Sequence, residues 1–301
     1  MQAIAILSGT GTPPLTDTDT AMVGSILAEL DCDPAPAEWL SAGEAVQFPL
    51  LLKTPAQQDQ IIARLRPLAA KIQSDFNIVT AKGRRKALLT ADMDSTIITS
   101  ESLDDLAELA GKGQAVRAIT NRSMAGELDF EQALRQRLQM LAGTPQSLLK
   151  QLTDSVTFSP GAEALIATMA GHGAHCVLAS GGFTFMTEVV AARLGFHEHH
   201  ANILGISNAM LDGTIKGKVL DQNAKQIQLL ASAAQCGISV DNAIAVGDGA
   251  NDRDMISLAG MGVAWRGKPV LKQKTRLWLD HSSLKGLLWL QGYHAEEIIR
   301  P

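Results

Sequence analysis

The sequence predicts an α/β protein built in two parts: a Rossmann-like parallel sheet core with an inserted helical segment, preceded by a small N-terminal α+β (ferredoxin-like) domain. Three observations carry this reading. From residue 83 onward short apolar runs alternate with helical stretches, the pattern of parallel strands joined by helices on both faces. One long stretch, about 100–157, is helical without a convincing strand and interrupts that alternation. Residues 3–80 run strand, helix, a strand or two, helix, strand, which is the element order of a ferredoxin-like unit.

The elements follow in order. AIAIL opens a strand, AMVGSILAEL a helix, WLSAGEAVQFPLLL a strand or two, QQDQIIARLRPLAAKI a helix and DFNIVTA a strand. The basic GRRK at 83–86 then marks a boundary, giving an N-terminal domain over 1–82 and a core over 83–301. KALLTA is a strand buried on both faces; SLDDLAELAG and DFEQALRQRLQMLAG are helices of the insertion, each ending in Gly. Next come helix GAEALIATMAG, strand AHCVLAS and helix FTFMTEVVAARLG. A hairpin in ILGISNAMLDGTIKGKV should turn at Asp212-Gly213, and helix AKQIQLLASAAQ and strand NAIAVG follow. Every motif described below lies after Gly83, so a fragment starting there is expected to fold and act alone.

Composition narrows the function. With 301 residues, 46% of them apolar and 19% charged, the chain is globular and long enough for two domains. A net charge of -5 argues against nucleic acid as a partner. The three cysteines, Cys32, Cys176 and Cys236, are widely spaced without a C-x-x-C pair, as expected of reduced thiols. The N-terminus lacks the basic region of a signal peptide, and no run of 18 apolar residues occurs, so a cytoplasmic chain without membrane partners is expected.

In such a sheet, ligands bind beyond the carboxyl ends of the strands. ALLTA ends in Asp92-Met93-Asp94-Ser95-Thr96, HCVLA in Ser180-Gly181-Gly182, and NAIAV in Gly247-Asp248-Gly249-Ala250-Asn251-Asp252. An ordinary helix cap would explain any one of these. Three side by side instead suggest a site: the hydroxyl and glycines suit phosphate, and the aspartates offer the hard oxygens that favour magnesium.

The order DMDST, SGGF, NAK, GDGAND resembles the haloacid dehalogenase superfamily of phosphotransferases, and within it the phosphoserine phosphatases; DMDSTIITSE and LDFEQALRQR carry the narrower likeness. The resemblance runs from about Lys86 to near the C-terminus, and the helical insertion resembles that family's cap. It implies magnesium-dependent hydrolysis of O-phosphoserine, the final step of serine biosynthesis. Asp92 would be the nucleophile and Asp94 the acid and base. Magnesium would bind Asp92, the main-chain carbonyl of Asp94, and Asp248, with Asn251 and Asp252 orienting ligands and phosphate. Ser180 and Gly181 would bind phosphate oxygens, and Lys225 would neutralise charge. In the cap, Arg137 would hold the substrate carboxylate and Glu101 its ammonium.

Other features carry less. His197, His199 and His200 lack a metal-ligand spacing and read as a solvated loop, while GKGQAV lacks the last glycine and preceding strand of a dinucleotide fingerprint. Two other readings remain open on sequence: a phosphatase for another small phosphomonoester, and a non-catalytic amino-acid sensor. Whether the chain acts singly or as a homodimer is not legible.

Overall fold

The structure, a computed structural model, describes residues 1–124 and 127–300. Its first sheet is built from β1 (Gln2–Ser8), β2 (Glu38–Ser41), β3 (Ala45–Leu51) and β4 (Asp75–Thr80), in antiparallel order β2-β3-β1-β4. With α1 (Asp17–Glu29) and α2 (Pro55–Lys71) between strands, this is the ferredoxin-like arrangement. Thr16 and Asp19 form a capping box at the start of α1, and Thr54 with Pro55 starts α2.

The second sheet is seven-stranded, in order β11-β10-β9-β5-β6-β7-β8. Its strands are β5 (Leu88–Ala91), β6 (His175–Phe183), β7 (Glu198–Ser207), β8 (Met210–Lys216), β9 (Ala243–Gly247), β10 (Met261–Trp265) and β11 (Leu277–Leu279), parallel except for the β7–β8 hairpin. The helices are α3 (Ser102–Leu109), α4 (Gly113–Met124), α5 (Phe130–Met140), α6 (Ser147–Asp154), α7 (Ala162–Gly171), α8 (Thr184–Leu194), α9 (Gln222–Gln235), α10 (Arg253–Leu258), α11 (Pro269–Lys272) and α12 (Gly286–Gln291). Helices α3 to α6 enter and leave the core through a short antiparallel bridge between Ile98 and Phe158. Central β5 is buried throughout, and Ala91 lies level with Leu178 of β6 and Val246 of β9. That register delivers Asp92, Ser180 and Asp248 to one end of the sheet.

Two expectations fail here. The hairpin turns at Asn208-Ala209, both at positive φ (51° and 60°), and Asp212-Gly213 lies inside β8. Gly213 answers to a different demand: its φ is +81°, and a Cβ there would come within 3.3 Å of the Gln139 Cα on α5. The histidines are a solvated loop only at His197, which is exposed and precedes β7, whereas His199 and His200 belong to β7 and are half-buried. Strand pairing is reinforced by side chains: His175 and His200 contact opposite oxygens of Glu198 at 2.7 and 3.1 Å, and His197 Nδ1 accepts the Cys176 N–H at 3.0 Å.

The two sheets are not independent. Ala3, Ala5 and Leu7 of β1 pack toward α1 and α2, while the intervening Ile4 and Ile6 join the main core, with Leu40, Ala45 and Val79. The first unit also covers the β11 edge: the Asn77 amide donates to the Trp278 carbonyl at 2.8 Å and accepts its N–H at 3.0 Å. Asp75, 5% exposed, accepts the N–H groups of Asp280, His281 and Ser282. A fragment starting at Gly83 would expose this apolar face and leave these groups without partners, so it is expected to be less stable than the full chain.

Asp75→Ala should therefore destabilise the whole protein by about 2–4 kcal/mol, because several backbone donors lose a charged acceptor together. Urea unfolding measures it; a change below about 0.5 kcal/mol would mean the seam contributes little.

Candidate active site

The strand-end loops are shaped so that their carboxylates converge. After β5 the chain winds through one wide turn, Met93–Ile97, closed by the Ile98 N–H on the Met93 carbonyl at 3.0 Å. Ser95 sits there at φ +55°, a strained conformation for a non-glycine residue, fixed by its N–H on the Ser100 carbonyl and its hydroxyl on Glu101 at 2.7 Å. The turn brings Asp94 back against the start of α3, where its Oδ1 accepts the Ser102 N–H at 2.8 Å. Its Oδ2 accepts the Ser180 hydroxyl at 3.3 Å, and the Ser180 oxygen in turn accepts the Gly182 N–H at 2.9 Å. Only glycine fits at 182: a Cβ would stand 2.7 Å from Asp94 Oδ2.

Lys225 of α9, 3% exposed, places its ammonium 2.6 Å from Asp92 Oδ1 and 2.6 Å from Asp252 Oδ1. Asp252 is fully buried, and its other oxygen accepts the N–H groups of Asp248 and Gly249 at 3.1 and 3.0 Å. Asp248, 8% exposed, pairs with the Lys268 ammonium at 3.1 Å. Carboxylate oxygens of Asp92, Asp248 and Asp252 all lie within 4.8 Å of one another.

Both oxygens of Asp252 are engaged, so the donors left for a metal are on Asp92 and Asp248. These are hard oxygen ligands without a nearby histidine or cysteine in the cluster, which fits magnesium and not zinc or copper. The charges ask for a cation too. Burial, then the neighbouring Asp252, holds the Asp92 carboxyl well above the usual range despite Lys225, and burial raises Asp94 and Asp248. Burial alone would lower Lys225, but Asp252 and Asp92 more than offset it and keep the ammonium charged.

The cap closes over this floor. A cavity of about 370 Å³ is lined by Asp92, Asp94, Gly181, Asp248 and Asn251 below, and by Glu101, Phe130, Leu134 and Arg137 around it. Ser180, Lys225 and Asp252 stand immediately behind, in contact with the lining aspartates or their backbone. Glu101 keeps solvent contact through the cavity, but the surrounding protein desolvates its carboxyl and, with Asp94 beside it, pushes its pKa up to about 7. Arg137 is largely buried; its Nη1 is 3.7 Å from Asp104, and its Nε has no partner among the described residues.

All the residues singled out in the sequence thus meet at one site. Reasoning from sequence missed Lys268, Ser102 and Phe130 as members of it. Lys268 follows β10, so extending the strand-end rule to MGVAW would have found it; Ser102 carries no such signal, because it acts through its backbone N–H.

Comparison with known proteins agrees with this geometry. Residues 89–257 match the family model of haloacid dehalogenase-like hydrolases. The chain is 36% identical over 239 residues to a phosphoserine phosphatase of Archaeoglobus fulgidus, covering 79% of this chain and 70% of that one. Among solved structures, a HAD family hydrolase from Salmonella enterica serovar Typhi aligns with a TM-score of 0.84 at 28% identity, over 96% of this chain and 98% of the other. A phospho-aspartyl intermediate analogue of phosphoserine phosphatase aligns with a TM-score of 0.64 at 35% identity, over 68% of this chain and 98% of that one.

Removing the Lys225 charge would leave Asp92 and Asp252 buried without a counter-ion. Lys225→Met is expected to cost about 3–5 kcal/mol of stability at neutral pH. Burial already holds the Asp92 carboxyl well above the usual range, so the loss should shrink as it takes up a proton, and the urea midpoint of the variant relative to wild type should recover as pH is lowered from neutral. A pH-independent difference would show that Lys225 contributes packing alone.

Proposed function

Because the chain belongs to the haloacid dehalogenase-like hydrolases, we propose that it is a magnesium-dependent phosphoserine phosphatase working through an aspartyl-phosphate on Asp92. One observation carries the substrate assignment: Glu101 and Arg137, of opposite charge, line the same cavity as Asp92 and Asp94. A phosphate ester whose far end bears both an ammonium and a carboxylate would satisfy them together.

In this reading Asp92 attacks phosphorus in line, forming the P–O bond to its carboxylate as the bond to the serine oxygen breaks. Asp94 supplies the proton that the leaving oxygen needs, which its raised pKa favours. It then takes a proton from water attacking the same phosphorus, and Asp92 is released with phosphate. Lys225 stays charged beside Asp92 throughout. Ser180 and Gly181 would donate to the phosphate oxygens, and Asn251 would help orient them. Asp92, Asp248 and the Asp94 carbonyl would hold magnesium, which when bound supplies neutralising charge to the phosphate; Asp252 would brace Asp248 through the N–H it accepts.

Phosphate release from a panel of phosphomonoesters, with magnesium and with chelator, tests the proposal. Phosphoserine should be preferred and chelator should stop turnover; no release from any ester would favour a sensor, and a better ester would reassign the substrate. Asp92→Asn should abolish turnover and acid-stable phosphoenzyme labelling while the unfolding midpoint is kept. Labelled variant would mean another nucleophile.

The cap assignment has its own signature. Arg137→Ala should weaken kcat/KM for phosphoserine by about 2–5 kcal/mol while an aryl phosphate without a carboxylate is little affected. Glu101 must be ionised to attract an ammonium, and below about pH 7 it holds a proton. Hence kcat/KM for phosphoserine should rise through pH 7 relative to the aryl ester, and Glu101→Gln should flatten that ratio. Equal losses for both esters would make the two residues structural.

A further inference from the structure

On the far side of the fold from the active cavity, a cleft of about 310 Å³ runs along the seam between the two sheets. One wall is the end of β4 with the connecting segment, and the other is the start of β10 and the approach to β11. Five cations line it, Lys82, Arg84, Lys86, Lys274 and Arg276, without a single carboxylate among the lining residues. In a chain of net charge -5, that concentration of positive charge runs against the composition.

The protein does little to neutralise it. Arg84 donates to the neutral Gln47 amide oxygen at 2.6 Å, and Lys86 to the Asp241 carbonyl at 2.7 Å. Arg276 reaches the Asp59 carboxylate at 3.1 Å, but both side chains are more than half exposed, so the pair is screened. Lys82 and Lys274 make no ion pair among the described residues. Burial and the neighbouring Arg85 lower the pKa of Arg84 despite Glu38, and burial lowers that of Lys86 despite Asp241, so the nearby carboxylates only partly offset the cost of burying these cations. Between the charges the wall is mixed, with Leu277 and the edges of the buried Ile256 and Met261 beside Thr80, Ser257 and Thr275. A second hollow of about 400 Å³ shares Lys274 and Arg276 and adds Arg66 and Lys272, with Asp59 as its one carboxylate and Lys272 paired to Asp280 at 2.7 Å.

We propose that this seam binds a polyphosphorylated small molecule, with the phosphates against Lys82, Lys274 and Arg276 and any apolar portion against the Met261 and Leu277 wall. Adjacent phosphates match several cations brought together from two sides of a cleft better than a single carboxylate does. The ligand's source is either a nucleoside triphosphate or inorganic triphosphate, which share this chemistry. Because the cleft is built from both units, occupancy would also hold them together, and binding to the folded state alone must raise stability. The site is separate from the phosphatase reading and stands or falls without it.

Isothermal titration of the full chain tests this, with inorganic triphosphate and adenosine triphosphate as probes. Chelator excludes hydrolysis, and excess inorganic phosphate competes for the active cavity. One site per chain is expected, weakening as salt rises. Tighter binding of adenosine triphosphate would identify the nucleoside form as the source; equal affinity would identify the phosphates as the whole determinant. Joint replacement Lys82→Glu and Lys274→Glu should weaken binding at least about tenfold, leaving phosphoserine turnover and the unfolding midpoint without ligand unchanged. Absence of binding at millimolar probe, displacement by inorganic phosphate, or full affinity in the double variant would each overturn the proposal.

Discussion

The Lys225 ammonium, shared at 2.6 Å between Asp92 and Asp252, is the interaction on which the rest of the site rests. Three carboxylates gathered at buried strand ends would otherwise repel one another in a medium that screens poorly. Its placement is determined locally. Asp221 caps α9 by accepting the Ala224 N–H at 3.0 Å, which sets where the helix begins and so which face Lys225 occupies. Asn202 joins this arrangement from β7: it donates to the Gly181 carbonyl at 2.9 Å and accepts the Leu220 N–H at 2.8 Å. The loop after β6 and the approach to α9 are thereby held by one buried amide, 2% exposed.

Around that fixed floor the cavity is completed by a second part of the chain. The floor is made of strand ends locked by backbone hydrogen bonds. The upper part comes from the helical insertion, tied to the core at the Ile98–Phe158 bridge and again at the β7–β8 hairpin, where Pro145 bridges Met210 and the Gly143 N–H donates to the Leu211 carbonyl at 2.8 Å. Among the described residues Arg137 has no partner for its Nε and only a 3.7 Å approach to Asp104, so they compensate its burial incompletely. A buried guanidinium in that condition gains more from an added carboxylate than an exposed one would, because its desolvation cost has already been met by folding.

Much of this was legible before any coordinates. Period and turn chemistry gave the ferredoxin-like order and the parallel core, because β1, β5 and β9 are apolar on both faces and the helices between them are well delimited. The convergence of Asp92, Ser180 and Asp248 followed from a rule about strand ends, which depends on topology and not on side-chain detail. What escaped was set by tertiary contact. Asp212-Gly213 carries the signature of a hairpin turn, yet the glycine serves the close passage of α5, and the actual turn uses Asn208-Ala209. The His197–His200 segment looked polar enough for a loop; His197 is one, but contacts of His199 with Thr187 and of His200 with Glu198 let those two side chains lie in a strand. The dependence of the core on its first 80 residues could not be read either, since AIAIL shows that both faces are apolar but not what covers each.

That dependence gives the N-terminal unit a physical place in the molecule although it carries none of the phosphatase motifs. The overall charge of -5 conceals a partition: carboxylates gather at the carboxyl end of the core sheet, and the seam near the opposite end is lined by lysine and arginine. Strand β10 spans the two. It begins with Met261 and Gly262 in the basic cleft and ends at Trp265, shortly before Lys268, which contacts Asp248 in the active cavity. Its neighbours in the sheet are β9, which ends just before Asp248, and β11, whose edge the Asn77 amide covers. A change in how the first sheet sits on β11 is therefore separated from a cation at the active site by two hydrogen-bonded strands and a short loop. Close packing leaves such strands little room to move independently, so the seat of the first sheet on β11 and the Lys268–Asp248 pair are joined by one continuous stretch of packed strand.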